Sequence, residues 1–302
     1  MELDYFIVDV FTDTVLTGNP LAVVMNTCGL STERMQAIAR EFNLSETSFI
    51  ERRPAEVERA EGVRVRIFTT QEELNFAGHP TLGTASVLKL QAPETLVGES
   101  VTLALNVGAV PVQFANAPES AGGLFGEMTQ RDPEFGEELD PREVARLIGL
   151  EVDDLDPALP PQIVSTGTAF AIVVLRSSEP LARLRVNQQE ATPWLRERGA
   201  RWFYLLGPIG EQAGSQQPEW RARMQFYGGE DPATGSAAGC AISYLVQRGA
   251  VASDQRIHVR QGVEIGRRSD LYLSAHADSA RIADVRVAGS TVLVAKGRLF
   301  LP

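Results

Sequence analysis

Short apolar runs broken by turn residues recur along the whole chain and predict a protein built mainly from strands. Residues 6–11, 21–25, 63–68 and 101–112 carry the β-branched and aromatic content, and the flanking turn residues, of strands. The same holds for 162–164, 169–175, 202–206, 222–227, 257–259, 271–275 and 291–294. Helical spacing interrupts them. Ser31 is placed to cap a helix whose Met35, Ile38, Ala39 and Phe42 share one face, ending before Asn43. Asp140-Pro141-Arg142-Glu143 opens a second helix that Gly149 closes, and Thr192-Pro193 is expected to open a third. Two further helices, over about 80–90 and 236–247, are apolar and rich in small residues. A helix without a polar face belongs inside other structure.

The pattern repeats. Thr17-Gly18-Asn19-Pro20-Leu21-Ala22-Val23-Val24 matches Thr166-Gly167-Thr168-Ala169-Phe170-Ala171-Ile172-Val173, an offset of 149 from 17 to 166. Arg64-Val65-Arg66-Ile67 matches Arg221-Ala222-Arg223-Met224 at an offset of 157, and Thr81 in the first apolar helix matches Ser236 in the second at 155. Three matches in one order at similar offsets predict a duplicated unit. The polar, turn-rich stretch from Asn116 to Gly123 reads as the linker. The expected domains are 1–120, joined by a C-terminal strand of about 288–302, and 121–287.

Composition narrows the function. With 302 residues, 44% of them hydrophobic and 22% charged, the chain can fill two ordinary cores. The net charge of -11, from 39 acidic against 28 basic residues, disfavours nucleic acid and anionic membrane surfaces. Cys28 and Cys240 are the two cysteines, without the spacing of a disulfide scaffold. No apolar run is long enough to span a bilayer, and the expected location is the cytoplasm.

Three segments could carry chemistry: Asn43 to Phe49, Asn75 to Gly83, and Gly228 to Ala237. The last two lead into the apolar helices, whose first N–H groups and dipole favour an anion. Gly78 and Gly235 would let a ligand approach the backbone. Taken alone, each segment has a plainer reading. His79 could simply cap its helix, Glu46 could be a solvated loop carboxylate, and Asp231-Pro232 is an ordinary turn pair. G-x-S-x-G and GxxxxGK[ST] are absent, and His79, His258 and His276 lack metal-ligand spacing, so no metal is expected.

Together the segments resemble a known family. Gly18-Asn19-Pro20-Leu21-Ala22-Val23-Val24, Leu44-Ser45-Glu46-Thr47, Phe76-Ala77-Gly78-His79-Pro80-Thr81-Leu82-Gly83 and Glu230-Asp231-Pro232-Ala233-Thr234-Gly235-Ser236-Ala237 look like the four signatures of PhzF-like proteins. Gln261-Gly262-Val263-Glu264-Ile265-Gly266-Arg267 is similar to a fifth, although Arg268 stands where the family often has proline. The resemblance implies an α+β protein of the diaminopimelate epimerase-like fold. It would have two pseudo-symmetric duplicated domains, each a curled, mostly antiparallel sheet around a central helix, with the site in the cleft between them. It also implies a C-terminal strand that returns to the first domain, and a homodimer.

Carried over by motif, the resemblance makes Glu46 the acid/base residue and His79 and Asp231 its catalytic companions, with Ser45, Gly78, Gly235 and Ser236 binding substrate. The expected activity is cofactor-independent isomerisation of a small carboxylate-bearing substrate, as for dihydro-3-hydroxyanthranilate. Epimerases of this fold use two facing cysteines, and neither facing loop has one here. A binding protein without turnover and a carboxylate-based racemase are the alternatives.

Overall fold

The computed structural model describes residues 1–114, 122–210, 218–226, 229–278 and 281–301. The expected linker positions 116–121, and Tyr227, Gly228 and Pro302, lie outside the described residues. The chain divides into two units, Met1–Thr129 with Ala288–Pro302, and Gln130–Val287.

The first unit contains β1 (Glu2–Val10), β2 (Asn19–Val24), β3 (Glu46–Glu51), β4 (Val63–Phe68), β5 (Glu73–Leu74), β6 (Ser100–Leu105), β7 (Gly108–Gln113) and β8 (Leu124–Thr129). Its helices are α1 (Thr32–Phe42), α2 (Ala55–Glu61) and α3 (Gly78–Gln91). The second unit contains β9 (Glu134–Glu138), β10 (Gln162–Ser165), β11 (Ala169–Val174), β12 (Trp202–Pro208), β13 (Glu219–Arg223), β14 (Gln225–Phe226), β15 (Gly229–Glu230), β16 (Ile257–Gln261) and β17 (Ser269–Ala277). Its helices are α4 (Pro141–Ile148), α5 (Gln188–Glu197) and α6 (Gly235–Gln247). The last strand, β18 (Ile282–Phe300), starts in the second unit and passes into the first at Ala288.

Strand by strand, the units have the same connectivity. β1–β2 and β10–β11 are antiparallel; β2–β3 and β11–β12 are parallel, bridged by α1 and α5. β3–β4 and β12–β13 are antiparallel; β4–β6 and β13–β16 are parallel, bridged through α3 and α6. A hairpin follows in each, β6–β7 and β16–β17. The duplication and the sheet-dominated α+β class expected from the sequence are therefore present. In the first unit β18 lies beside both β8 and β1 and closes the sheet, with Arg298 opposite Asp4.

Both central helices are buried along their length for the reason their sequences suggest: no face is polar. Small residues let the sheet come close. A Cβ on Gly83 would lie 2.7 Å from both Leu21 and Val10 side-chain carbons. A Cβ on Gly239 would lie 2.0 Å from the Gln130 amide oxygen. The outer sheet faces are covered as well. Met35, Ile38 and Ala39 of α1 pack with Leu3, Val24, Phe49 and Phe68. α4 and α5 cover Ala171, Val173, Phe203 and Leu205. Strands buried on both faces read as continuous apolar runs, as β2 and β11 do.

The structure corrects several boundaries. Residues 101–112 form not one strand but the hairpin β6–β7, turning at Asn106 and Val107 before Gly108 at φ 113°. Thr192-Pro193 does not open α5. Asn187 does, its side chain accepting from the Glu190 backbone N–H, and Pro193 lies inside the helix. The strand expected at 222–227 splits into β13 and β14, and the one at 291–294 is the central part of the longer β18. The helix starts align Gly78 with Gly235, an offset of 157 and not the 155 of Thr81 and Ser236. The first unit runs to Thr129, past the expected 120, because β8 pairs with β7.

Candidate active site

In the first unit the predicted residues converge where β2, β3 and α3 begin. Ser31 and Asn43 cap α1 as expected, Asn43 in the left-handed conformation, and the chain turns directly through Ser45 into β3. Leu21 pairs with Glu46, the first residue of β3. Alternation along the strand gives Glu46 the face opposite Phe49, which packs under α1. The Glu46 side chain is 17% exposed and its Oε2 lies 3.5 Å from His79 Nε2. It is not a solvated loop carboxylate. His79, second residue of α3, is buried, and the other ring nitrogen meets Asn19: Asn19 Nδ2 donates to His79 Nδ1 at 3.2 Å. Burial pushes the His79 pKa down from 6.5 to about 3, so the ring is neutral at physiological pH.

No side chain caps α3, and its first turn holds no acidic residue. Pro80 has no N–H, and the Thr81 N–H is used by Ala77 O. The backbone donors of the first turn are therefore those of Gly78 and His79. α6 starts in the same way at Gly235, with no side-chain cap and no first-turn acid. Ser236 beside it is half-buried.

In the second unit Asp231 is buried, and its Oδ2 accepts from Thr234 Oγ1 at 2.7 Å. Gln261 ties this loop to the sheet. Its Nε2 donates to Asp231 O at 2.8 Å and Thr234 Oγ1 at 2.9 Å, while its Oε1 accepts from Thr234 N at 3.1 Å and Tyr204 Oη at 3.2 Å. Burial, with Asp231 negative nearby, holds the Tyr204 hydroxyl well above its usual range. Glu230 faces elsewhere, in a bidentate pair with Arg223 at 2.9 and 2.5 Å. The loop after Gln261 turns at Gly262 and Gly266, both at positive φ, and the Arg267 N–H donates to Gly262 O at 2.9 Å.

The duplicated frame also shows what is not duplicated. Leu21 pairs with Glu46 as Phe170 pairs with Trp202, and Leu21 and Phe170 are repeat equivalents. Trp202 thus occupies the second unit's counterpart of Glu46, so the carboxylate is single. Cys240 is buried within α6, and burial raises its thiol to about 11. It is held protonated, with Sγ 3.5 Å from Thr166 Oγ1. Among the described residues no group of three or more His, Cys, Asp or Glu side chains is arranged to hold a metal ion.

Asn19, Thr234, Tyr204 and Gln261 were given no role by the sequence. Asn19, Thr234 and Gln261 lay inside recognised motifs, and for Asn19 an amide opening the apolar run 20–25 was the available signal.

The PhzC-PhzF family, described as phenazine biosynthesis-like protein, matches residues 8–297. The trans-2,3-dihydro-3-hydroxyanthranilate isomerase of Pseudomonas aeruginosa is 34% identical over 300 residues, covering 98% of this chain and 99% of the relative. An uncharacterized isomerase of Mesorhizobium japonicum is 33% identical over 304 residues, 99% of each. The crystal structure of a PhzF-family phenazine biosynthesis protein from Bacillus anthracis superposes with a TM-score of 0.85 at 28% identity, covering 100% of both chains.

Proposed function

Because the chain belongs to the phenazine biosynthesis-like PhzC-PhzF family and is an isomerase, we propose that it moves one proton between carbons of a small carboxylate-bearing ring, with Glu46 as carrier. The model for the substrate is trans-2,3-dihydro-3-hydroxyanthranilate, after which the Pseudomonas relative is named. The C–H bond breaks as the Glu46 carboxylate takes the proton, and the electron pair shifts the ring double bond. The proton on the Glu46 carboxyl exchanges with solvent, and Glu46 then delivers a proton to another carbon, so electrons and protons balance without an oxidant or reductant.

The observation that carries this reading is the approach of Glu46 Oε2 to His79 Nε2 at 3.5 Å in a largely buried setting. A histidine held neutral can donate a hydrogen bond but does not compete for the proton. Asp231, steadied by Thr234, orients a polar group of the substrate. Ser45, Ser236 and the N–H groups of Gly78 and Gly235 bind it, the helix starts taking the carboxylate. The enzyme works as a cytoplasmic homodimer. No helix among the described residues is long and apolar enough to cross a membrane.

Turnover in deuterium oxide tests the proposal. Deuterium incorporated at carbon together with double-bond movement is the expected result. Exchange without bond movement would indicate a racemase, and no exchange with any small cyclic carboxylate would leave a binding protein.

A further inference from the structure

The geometry points to Asn19 as a positioning residue that holds the His79 ring in its Nε2–H tautomer, so that an N–H and not a lone pair faces Glu46. This inference rests on Glu46 being the proton carrier. It goes further by assigning a role to a residue outside the acid/base set.

Asn19 is fully buried at the start of β2, paired with Val10 of β1. Its backbone is fixed from both sides. Gly18 stands at φ +67°, where a Cβ would fall 2.5 Å from Val10 O, and Pro20 follows. The amide is therefore delivered to one place, and Nδ2 reaches His79 Nδ1 at 3.2 Å. An amide nitrogen only donates, so Nδ1 accepts with its lone pair. A neutral imidazole has a single N–H, which must then sit on Nε2, the nitrogen 3.5 Å from Glu46 Oε2. The burial that keeps the ring neutral keeps the choice of tautomer meaningful.

The tautomer matters to a base. An N–H facing the carboxylate favours its ionised form, which accepts the proton from carbon. A lone pair in the same place repels the carboxylate and favours the carboxylic acid, which donates to it. Glu46 would then start the cycle already protonated. In a Ser-His-Asp triad a substitution that leaves the wrong tautomer costs about 10⁴ in kcat.

Asn19→Asp is the informative variant, since an acceptor in place of the donor calls for Nδ1–H. The protein has three histidines, so 15N-histidine spectra are simple, and His79→Gln assigns the signal. In the wild type, His79 is expected to show a pyridine-type Nδ1 and a pyrrole-type Nε2 that do not titrate between about pH 5 and 9. In Asn19→Asp the two should exchange character. The kcat should fall by about 10²–10⁴ and the acidic limb of the pH–rate profile should move upward. A wild-type spectrum with Nδ1–H would overturn the proposal without any variant. So would a variant whose tautomer switches while its rate and pH profile stay put. The ring spectra do not depend on turnover, so a failure of Glu46 as the base would leave them standing and be recognised separately.

Discussion

His79 Nε2 lies 3.5 Å from Glu46 Oε2, a contact between the second residue of a buried helix and the first residue of a strand. The pair depends on two backbone starts being held in register, α3 inside the sheet and β3 beside β2. Burial of its histidine pushes the ring's pKa down to about 3.

That depression has a direction in stability. The unfolded chain binds a proton on His79 near pH 6.5 and the folded protein does not until about pH 3. Stability is therefore unaffected above 6.5 and lost as pH falls below it, by about 1.4 kcal/mol per pH unit from this group. His79→Gln should flatten the fall in urea-unfolding free energy between about pH 6.5 and 4 relative to wild type. Parallel pH profiles for the two proteins would show that the ring is not buried and neutral.

The amide of Gln261 engages four buried partners, among them Asp231 O and the Tyr204 hydroxyl. Gln261→Ala leaves those groups without it and should cost about 2–4 kcal/mol in chemical denaturation, with reduced turnover as the Asp231 loop loosens. A loss under about 0.5 kcal/mol, the range of a surface substitution, would mean that the network does not hold the loop.

Thiol chemistry separates this site from a two-cysteine racemase. Cys28 is exposed, whereas Cys240 is buried with its thiol raised to about 11. Alkylation of the native protein should modify Cys28, leave Cys240 unmodified until denaturant is added, and leave turnover intact. Modification of Cys240 in the native state, or inactivation through Cys28, would contradict the assignment.

Much of the architecture was legible because the duplication left chemical marks. Arg66 and Glu73 form a bidentate pair at 2.9 and 2.5 Å, and Arg223 and Glu230 form the same pair at the same distances. Both partners are displaced by 157 residues, the offset already visible in the Arg64 and Arg221 segments. The caps Ser31, Asn43, Asp140 and Gly149 were also readable, since each satisfies local backbone groups with its own chemistry or conformation. Sequence pattern and structure differ where local signals compete. Pro193 looks like a helix start, but the Asn187 cap precedes it. The 101–112 run carries no strong turn signal until Gly108, so its hairpin was hidden. β9, with four of five positions polar or glycine, offers no apolar run at all. The site residues were recognisable by motif, but Asn19 and Gln261 acquire meaning only through partners 60 and 30 residues away.

The most direct test of the central claim is the turnover of Glu46→Gln on trans-2,3-dihydro-3-hydroxyanthranilate, or on whichever cyclic carboxylate shows exchange. Gln keeps the shape and hydrogen-bonding capacity of Glu but cannot take up and return a proton. With folding and ligand binding close to wild type, kcat should fall by about 10²–10⁴, the usual worth of one general acid–base group. Retention of more than about a tenth of the wild-type rate, a loss smaller than that range, would contradict Glu46 as the proton carrier.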